Sequence, residues 1–481
     1  APNLFIHTPH EALPYTASVL AVHLIRLLSV LCGAGTVAGV FLVAGEILPT
    51  RPGVALASAA VAAFNPLFIF ISSVVNNDAT AACLCTLALW LAIRSARLGF
   101  TRKRLIGLGV VVGLALLSKV SALALLILAA LALLLTWLRE RDRRALLTGG
   151  LTVVGLATLV AAWWYIRNWA LYGDPLGWQI WLMDIKEHQI GLAELLAQFR
   201  HLGTSFYSPY DGLFPPAVLA VLGALAVAAA AGWIRMIFRR SQRADADAEG
   251  LLLAGAWFVI LFASVVYYMV TTPADEGRLL YPGIAASSLL LVLGWRAVLP
   301  PTWRTVGMAA IIAALLVLCI ATPFCAIEPR FALPLVSSAD DLPATVSFAE
   351  DPLIANIRLL GVELDTYDAA PGDTVRVSVY WEVLEPSPPG HMRFVVQLWT
   401  ESGRLVDQRD TIPAGEAYPP DLWNAGDIVW HEFPLDLWGD DGPIPCRVNA
   451  AVIIDDEVIG ESSSPFLMTL GPEPVPAGAT E

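Results

Sequence analysis

The stretch Val74-Val75-Asn76-Asn77-Asp78-Ala79-Thr80 lies between two long apolar segments. Residues 53–75 before Asn76 and residues 79–93 after Asp78 carry no charged side chain. A carboxylate wedged between two segments of membrane-spanning character is costly unless the protein uses it. Two interpretations of Asp78 follow. It is a functional carboxylate at a membrane surface, or it is a solvated residue near a helix N-terminus, where acidic side chains are favourable.

Composition divides the chain into two parts of different character. Hydrophobic residues make up 57% of the 481 positions, and the mean hydropathy of +0.66 is too high for an ordinary soluble protein. Residues 1–327 carry a net charge of +7, whereas residues 328–481 carry −20. These values predict a basic membrane region followed by an acidic soluble region. The acidic part argues against nucleic acid as a partner.

Apolar runs of near-spanning length predict about ten transmembrane helices, since roughly 20 residues cross the hydrocarbon core. Two of the runs, 104–117 and 120–138, are separated only by Ser118-Lys119, and the first of them is short. The ten runs are 18–45, 53–75, 79–97, 104–117, 120–138, 145–169, 214–238, 251–270, 280–296 and 305–322.

Lysine and arginine are distributed unevenly between alternate loops, 16 in one set and 5 in the other. By the positive-inside rule the first set is cytoplasmic. The loops that contain Asp78, Lys119 and Arg278 are then extracytoplasmic, as is everything after residue 322. Arg167 lies on the same side, and Arg26 lies near the outer end of the first run.

Each of these residues also has an ordinary explanation. Trp and Tyr residues within 163–172 match an interfacial aromatic belt, Arg278 matches a snorkelling side chain, and Lys119 matches a loop lysine. Together, however, they place ionisable groups of both signs at one membrane surface. Arginine and lysine suit a phosphate, and a carboxylate suits a general base or a metal ligand.

Several short motifs resemble the bacterial GT-C membrane glycosyltransferases, the protein-mannosyltransferase and aminoarabinose-transferase-like enzymes. The resemblance covers residues 1–325. The motifs, in order, are Phe64-Asn65-Pro66, Asn76-Asn77-Asp78, Gly113-Leu114-Ala115-Leu116-Leu117-Ser118-Lys119, Trp164-Tyr165-Ile166-Arg167-Asn168, Tyr172-Gly173-Asp174-Pro175 and Gly277-Arg278-Leu279-Leu280-Tyr281-Pro282.

The resemblance implies a membrane glycosyltransferase of the cytoplasmic membrane that moves a sugar from a polyprenyl-phosphate carrier to a glycan, lipid or protein acceptor. It implies that Asp78 is the catalytic acidic residue of an outer loop, near the acceptor or a metal, and that Arg278 faces the lipid phosphate. Lys119, Arg167 and Arg26 are further candidates for substrate binding. No cofactor is certain, and a divalent metal with Asp78 as a ligand stays open.

One feature of the family has no counterpart in this sequence. The family carries its main catalytic carboxylate in the first outer loop, just after a first membrane helix. The resemblance places residue 1 already within that loop, and Glu11 is the only acidic residue before Glu46. The resemblance therefore predicts an N-terminally truncated member and leaves the catalytic competence of this chain open.

After residue 325 the pattern changes to short segments of period two. Val375, Val377, Val379 and Trp381 alternate with polar residues, which is typical of half-buried strands. We predict a linker at 326–345, an extracytoplasmic all-β sandwich at 346–470 and a disordered tail at 471–481. Trp399, Trp423, Trp430 and Trp438 suit either core packing or stacking on sugar rings.

Two other classes of function stay open at this stage. A transporter of a lipid-linked glycan would need ionisable groups at mid-membrane, whereas the charges here lie at the outer surface. A membrane-anchored protein that binds or assembles glycans would use the sandwich and would need no catalytic carboxylate.

Overall fold

The computed structural model divides the chain into two compact units, one that ends at Pro329 and one that begins at Arg330. Each unit is described by itself. The described residues are 14–15, 17–179, 190–210, 212–238, 247–272, 274–346, 353–354, 356–370, 372–386, 392–412, 414, 418–437, 444–455 and 457–470. The predicted tail 471–481 and Trp438 lie outside them.

The first unit is helical. Its helices are α1 (Ala17–Ile47), α2 (Pro52–Ala63), α3 (Pro66–Ser73), α4 (Asp78–Leu98), α5 (Arg102–Ser118), α6 (Ala124–Glu140), α7 (Arg143–Tyr172), α8 (Leu192–Ser205), α9 (Pro216–Phe238), α10 (Ala248–Thr271), α11 (Ile284–Val298), α12 (Arg304–Ala321) and α13 (Glu328–Phe331). Short 3₁₀ turns at Val120–Leu123 and Gly277–Gly283 lead into α6 and α11.

Eight helical segments among the described residues are long and apolar enough to span a membrane, and the bent pair α2–α3 raises the number to nine. The multi-pass helical fold is therefore confirmed, and these candidates account for nine of the ten predicted runs. The difference is α5, which matches the predicted run 104–117 but has only 17 residues. At 1.5 Å per residue it is about 26 Å long, shorter than a typical 30 Å hydrocarbon core.

The predicted run 53–75 is a broken helix. The first half ends at Ala63, and Pro66, which has no amide hydrogen, begins α3 at its first position. The Asn65 side chain accepts a hydrogen bond from the Phe68 amide, which caps α3. The two halves are bent by 63°.

Apolar side chains on the outside of the helical unit are consistent with a lipid environment. Leu147, Leu151 and Leu159 of α7 are 66–77% exposed, and only 11% of the candidate membrane span that begins with α12 is buried. A protein in water would rarely leave so continuous an apolar surface uncovered.

The second unit contains two five-stranded sheets around one apolar core. Their strand orders are β1-β8-β5-β3-β2 and β4-β10-β9-β6-β7. The strands are β1 (Leu335–Val336), β2 (Leu353–Ile354), β3 (Ile357–Leu364), β4 (Asp368–Ala369), β5 (Thr374–Val383), β6 (Met392–Thr400), β7 (Leu405–Thr411), β8 (Ile428–Asp436), β9 (Ile444–Ile454) and β10 (Glu457–Leu470).

The predicted all-β domain is confirmed, with two differences in detail. Strand β1 lies inside the predicted linker 326–345 and pairs with β8. Among the described strands every pair is antiparallel except β4–β10, which is parallel. The core is aromatic at its centre, where Trp381 packs against Phe394 with ring centroids 4.2 Å apart. Trp423 is buried in this core, whereas Trp430 is 36% exposed.

Candidate active site

Asp78 is the first residue of α4 and is only 4% exposed. The helix cap at this point is made by Asn76, whose side-chain oxygen accepts hydrogen bonds from the amides of Asp78 (2.8 Å) and Ala79 (3.2 Å). The Asp78 carboxylate is thus neither a solvated turn residue nor the cap, and it is available for other partners.

The carboxylate of Asp78 contacts two cationic side chains from different parts of the sequence. Its Oδ1 forms an ion pair with Nζ of Lys119, which follows the last residue of α5. Its Oδ2 lies 3.8 Å from Nη1 of Arg278, in the 3₁₀ turn before α11. Arg278 also donates from Nε to Glu276. We call Asp78, Lys119, Arg278 and Glu276 the Asp78 cluster.

Solvent exposure of the side chains increases across the Asp78 cluster, from Asp78 to Lys119 to Arg278. The side chain of Asp78 is 5% exposed, that of Lys119 20% and that of Arg278 41%. The cations next to the buried carboxylate stabilise it, and they remain partly exposed to solvent themselves. A ligand that approaches from solvent would therefore meet the two cations and Glu276 before Asp78.

A hydrogen bond between loops holds the Asn76–Asp78 turn against the end of α5. The side-chain amide of Asn77 donates to the carbonyl oxygen of Ser118 at 3.0 Å, next to Lys119. The neighbouring motif residues therefore serve to bring Asp78 and Lys119 together, although 41 positions separate them in sequence.

The turn that carries Arg278 is fixed by its neighbours in the Gly-Arg-Leu-Leu-Tyr-Pro motif. The Tyr281 hydroxyl donates to the carbonyl of Phe206 (3.1 Å), and the side-chain amide of Asn65 donates to the same carbonyl (3.0 Å). Gly277 is required by close packing, because a Cβ there would lie 2.2 Å from the Phe206 nitrogen. Asn65, Gly277 and Tyr281 thus position Arg278.

Arg167 and Arg26 do not join the Asp78 cluster. Arg167 is exposed near the end of α7, and its guanidinium lies over the Trp164 ring, 5.2 Å from the centroid. It lies at the same end of the bundle as Lys119, since the Tyr165 hydroxyl donates to the Leu116 carbonyl at 2.8 Å. Arg26 lies on α1, six residues before Cys32, which contacts Thr80. Neither arginine forms an ion pair within the described parts of the chain.

The Tyr172-Gly173-Asp174-Pro175 motif forms a local turn. Gly173 adopts a positive φ of 70° that ends α7. Asp174 accepts hydrogen bonds from the backbone amides of Gln179 and Leu176, which hold the pKa of its carboxyl below its usual range. The motif therefore closes the helix, and Asp174 is satisfied by backbone.

The candidates predicted from the sequence do not include Glu276 of the cluster or the nearby pair of His201 and Asp275. Glu276 is the carboxylate partner of Arg278, and Nδ1 of His201 lies 2.9 Å from Oδ1 of Asp275. His201 lies in α8, and no motif in the sequence of that helix singles this residue out. Glu276 lies two residues before Arg278, and only the conformation of the turn brings the two side chains together.

The residues around Asp78 do not fit a divalent metal. Both of its oxygens already lie near cations, which would repel a metal ion. Within the described part of the chain, no group of three or more His, Cys, Asp or Glu residues is arranged to hold one. The chemistry proposed below therefore uses no metal.

The first half of the helical unit is similar to a known protein family. Residues 21–165 match the family profile described as dolichyl-phosphate-mannose-protein mannosyltransferase. This segment contains Asp78 and Lys119, and Arg278 lies beyond it. No curated protein matches the chain.

Solved structures match part of this chain at low sequence identity. ArnT from Cupriavidus metallidurans in the apo state is 16% identical, with a TM-score of 0.38 over 63% of this chain and 57% of that one. The same enzyme bound to undecaprenyl phosphate is 19% identical, with a TM-score of 0.39 over 62% and 52%. The Archaeoglobus fulgidus oligosaccharyltransferase with zinc and sulfate is 14% identical, with a TM-score of 0.38 over 65% and 42%.

The chain thus spans about half the length of these structures. Over residues 21–165, the resemblance to GT-C membrane glycosyltransferases is confirmed by the match to the dolichyl-phosphate-mannose-protein mannosyltransferase family.

Proposed function

We propose that this protein is a membrane glycosyltransferase that moves a sugar from a polyprenyl-phosphate carrier to an acceptor outside the cytoplasmic membrane. The observation that carries the proposal is the pairing of Lys119 and Arg278 around buried Asp78, where α4 and the turn before α11 begin and α5 ends. Two cations held at a membrane surface suit the phosphate of a lipid carrier.

Arg278 is the residue that best suits direct contact with the carrier phosphate. Its guanidinium is 41% exposed and pairs with Glu276, whose side chain is 48% exposed. The phosphodiester of a lipid-linked sugar also carries one negative charge shared by two oxygens, so it can compete for the same fork of donors. Binding of the carrier would then replace Glu276 as the partner of Arg278.

Sugar transfer breaks the bond between the anomeric carbon and the phosphate oxygen and forms one to the acceptor oxygen. The leaving phosphate gains negative charge as this bond breaks, and Arg278 and Lys119 would stabilise that charge. The acceptor hydroxyl loses its proton to a base, which the family resemblance assigns to an acidic residue of the first outer loop. Asp78 would position the two cations for the leaving group.

Charge distribution supports the location proposed for this reaction. The loops at the Asp78 end of the bundle hold few lysines and arginines, and the opposite loops hold most of them. The Asp78 cluster and the β-sandwich unit would thus both lie outside the cytoplasmic membrane.

The proposal is tested by transfer from a polyprenyl-phosphate sugar in lipid nanodiscs. Losing a contact to a developing anion typically slows a reaction by about a hundredfold, so Arg278→Ala should cost about that much. Arg278→Lys keeps the charge but loses the planar fork, and we expect an intermediate rate.

Arg102→Ala is the matched control, because Arg102 is exposed at the opposite end of the bundle. It should transfer sugar at the parent rate. Parent-rate transfer by Arg278→Ala would contradict the assignment of Arg278 to the carrier phosphate.

A further inference from the structure

A second polar site lies at the C-terminal end of α11, and Arg278 lies in the turn before the N-terminal end of that helix. It is a cleft of about 450 Å³ between α2, α11 and α12. Arg51, Arg296 and Arg304 line it together with an apolar wall that includes Leu56, Met308 and Ile312. None of its described lining residues is acidic. We call it the arginine cleft.

The three arginines of the cleft come from three helix ends. Arg51 immediately precedes α2, Arg296 lies in the last turn of α11, and Arg304 begins α12. The Arg304 Nε donates to the carbonyls of Arg296 (3.0 Å) and Leu299 (3.3 Å), which ties the start of α12 to the end of α11. Its two Nη groups have no protein partner among the described residues.

The arginine cleft lies about one membrane thickness from the Asp78 cluster. Arg278 and Arg296 are separated by 18 positions of continuous 3₁₀ and α-helix. At 2.0 and 1.5 Å per residue this corresponds to about 30 Å, the thickness of a bilayer core. The cleft therefore belongs to the opposite leaflet and is separate from the proposed catalytic surface.

The lining of the cleft matches a molecule with an anionic head and an apolar chain. Guanidinium groups bind phosphate oxygens in pairs, and basic pockets between transmembrane helices suit anionic headgroups. Leu56 is 65% exposed, although it lines the cleft beside the arginines. Inorganic phosphate would use the arginines and leave this apolar wall uncovered.

We propose that the arginine cleft binds an anionic phospholipid of the leaflet opposite the Asp78 cluster. The lipid phosphate contacts the Nη groups of Arg304, while Arg51 and Arg296 add positive charge around it, and one acyl chain lies along Leu56, Met308 and Ile312. The bound lipid links the ends of α2, α11 and α12.

Native mass spectrometry of the intact chain, titrated separately with phosphatidylglycerol, phosphatidylcholine and inorganic phosphate, tests this proposal. We expect saturable retention of phosphatidylglycerol and at least tenfold weaker retention of phosphatidylcholine. Arg51→Gln/Arg296→Gln should weaken phosphatidylglycerol binding at least tenfold. The control Arg102→Gln/Arg143→Gln removes two exposed arginines elsewhere and should leave binding unchanged.

Three outcomes would overturn the proposal. They are equal retention of both lipids, equal loss in the variant and its control, and displacement of phosphatidylglycerol by millimolar inorganic phosphate, which would indicate a free-phosphate site. If the double variant does not fold, Met308→Trp fills the apolar side without a change of charge and should also weaken lipid binding. Sugar transfer is measured separately, so failure of this proposal leaves the proposed function untouched.

Discussion

Asp78 shows how burial decides the role of a single carboxylate. A carboxylate moved out of water is costly unless a cation and hydrogen bonds offset the loss of hydration. Lys119 supplies that compensation directly, and Arg278 adds to it from 3.8 Å. A proton on Asp78 would break the pair with Lys119, so Asp78 suits positioning better than proton transfer.

Asp78→Asn keeps the size of the side chain and removes its charge. Lys119 then lacks its counter-ion in a site that is only partly open to water. We expect sugar transfer to fall by at least tenfold and the melting temperature in nanodiscs to drop. Glu276→Gln, which removes an exposed carboxylate from the same cluster, should leave the melting temperature unchanged.

A second substitution separates the two effects of Asp78→Asn. Asp78→Asn/Lys119→Met removes both charges, so it leaves no uncompensated lysine, and we expect the melting temperature to recover while transfer stays low. Parent-level stability and transfer in Asp78→Asn alone would show that the pair with Lys119 matters for neither.

At the scale of elements, most boundaries follow from sequence pattern. The alternation from Val375 to Val383 predicts β5 within one residue, because a sheet with one buried face imposes period two. The strands β1 and β4 have two residues each, too few to show a period. The candidate site is less predictable, since Asp78, Lys119 and Arg278 meet only through helix packing. Sequence places them at one surface but cannot separate them from Arg167 and Arg26.

Two helices pack closely at a pair of glycines, where α9 crosses α11. A Cβ on Gly232 would lie 1.9 Å from the Gly294 carbonyl oxygen, nearer than any real contact allows. Gly232→Ala should therefore push α9 away from α11 and lower the melting temperature by several degrees. Thermal unfolding in nanodiscs measures this effect.

Gly223 provides the matched control on the same helix. A Cβ there meets nothing within 4 Å, and alanine is the better helix former. Gly223→Ala should leave the melting temperature unchanged or raise it slightly. Equal effects of the two substitutions would contradict close packing of α9 on α11.

The two units of the chain place their apolar side chains differently. The helical unit exposes apolar side chains outward, as a protein in lipid does, whereas the second unit buries its apolar side chains between two sheets. The strongly acidic composition of residues 328–481 favours solubility for that second unit. We therefore expect it to fold without the membrane part.

The start of the second unit determines how well it folds alone. Strand β1 covers the edge of β8 through the pairs Leu335↔Val429 and Val336↔Ile428, and the Trp430 amide donates to the Pro334 carbonyl at 3.0 Å. A segment of residues 346–470 lacks β1, so this edge of β8 has no partner strand. An unpaired edge of this kind can hydrogen-bond to a second chain and cause association.

Residues 330–470 should accordingly be monomeric and more stable than residues 346–470, by roughly 1–3 kcal/mol for the few hydrogen bonds lost. Urea unfolding followed by tryptophan fluorescence, with sedimentation to detect association, makes the comparison. The change in exposed surface is small, so the two denaturation slopes should agree and the midpoints should differ. Equal midpoints would mean that β1 adds nothing to the sandwich. An unfolded 330–470 segment would mean that the second unit depends on the helical unit to fold.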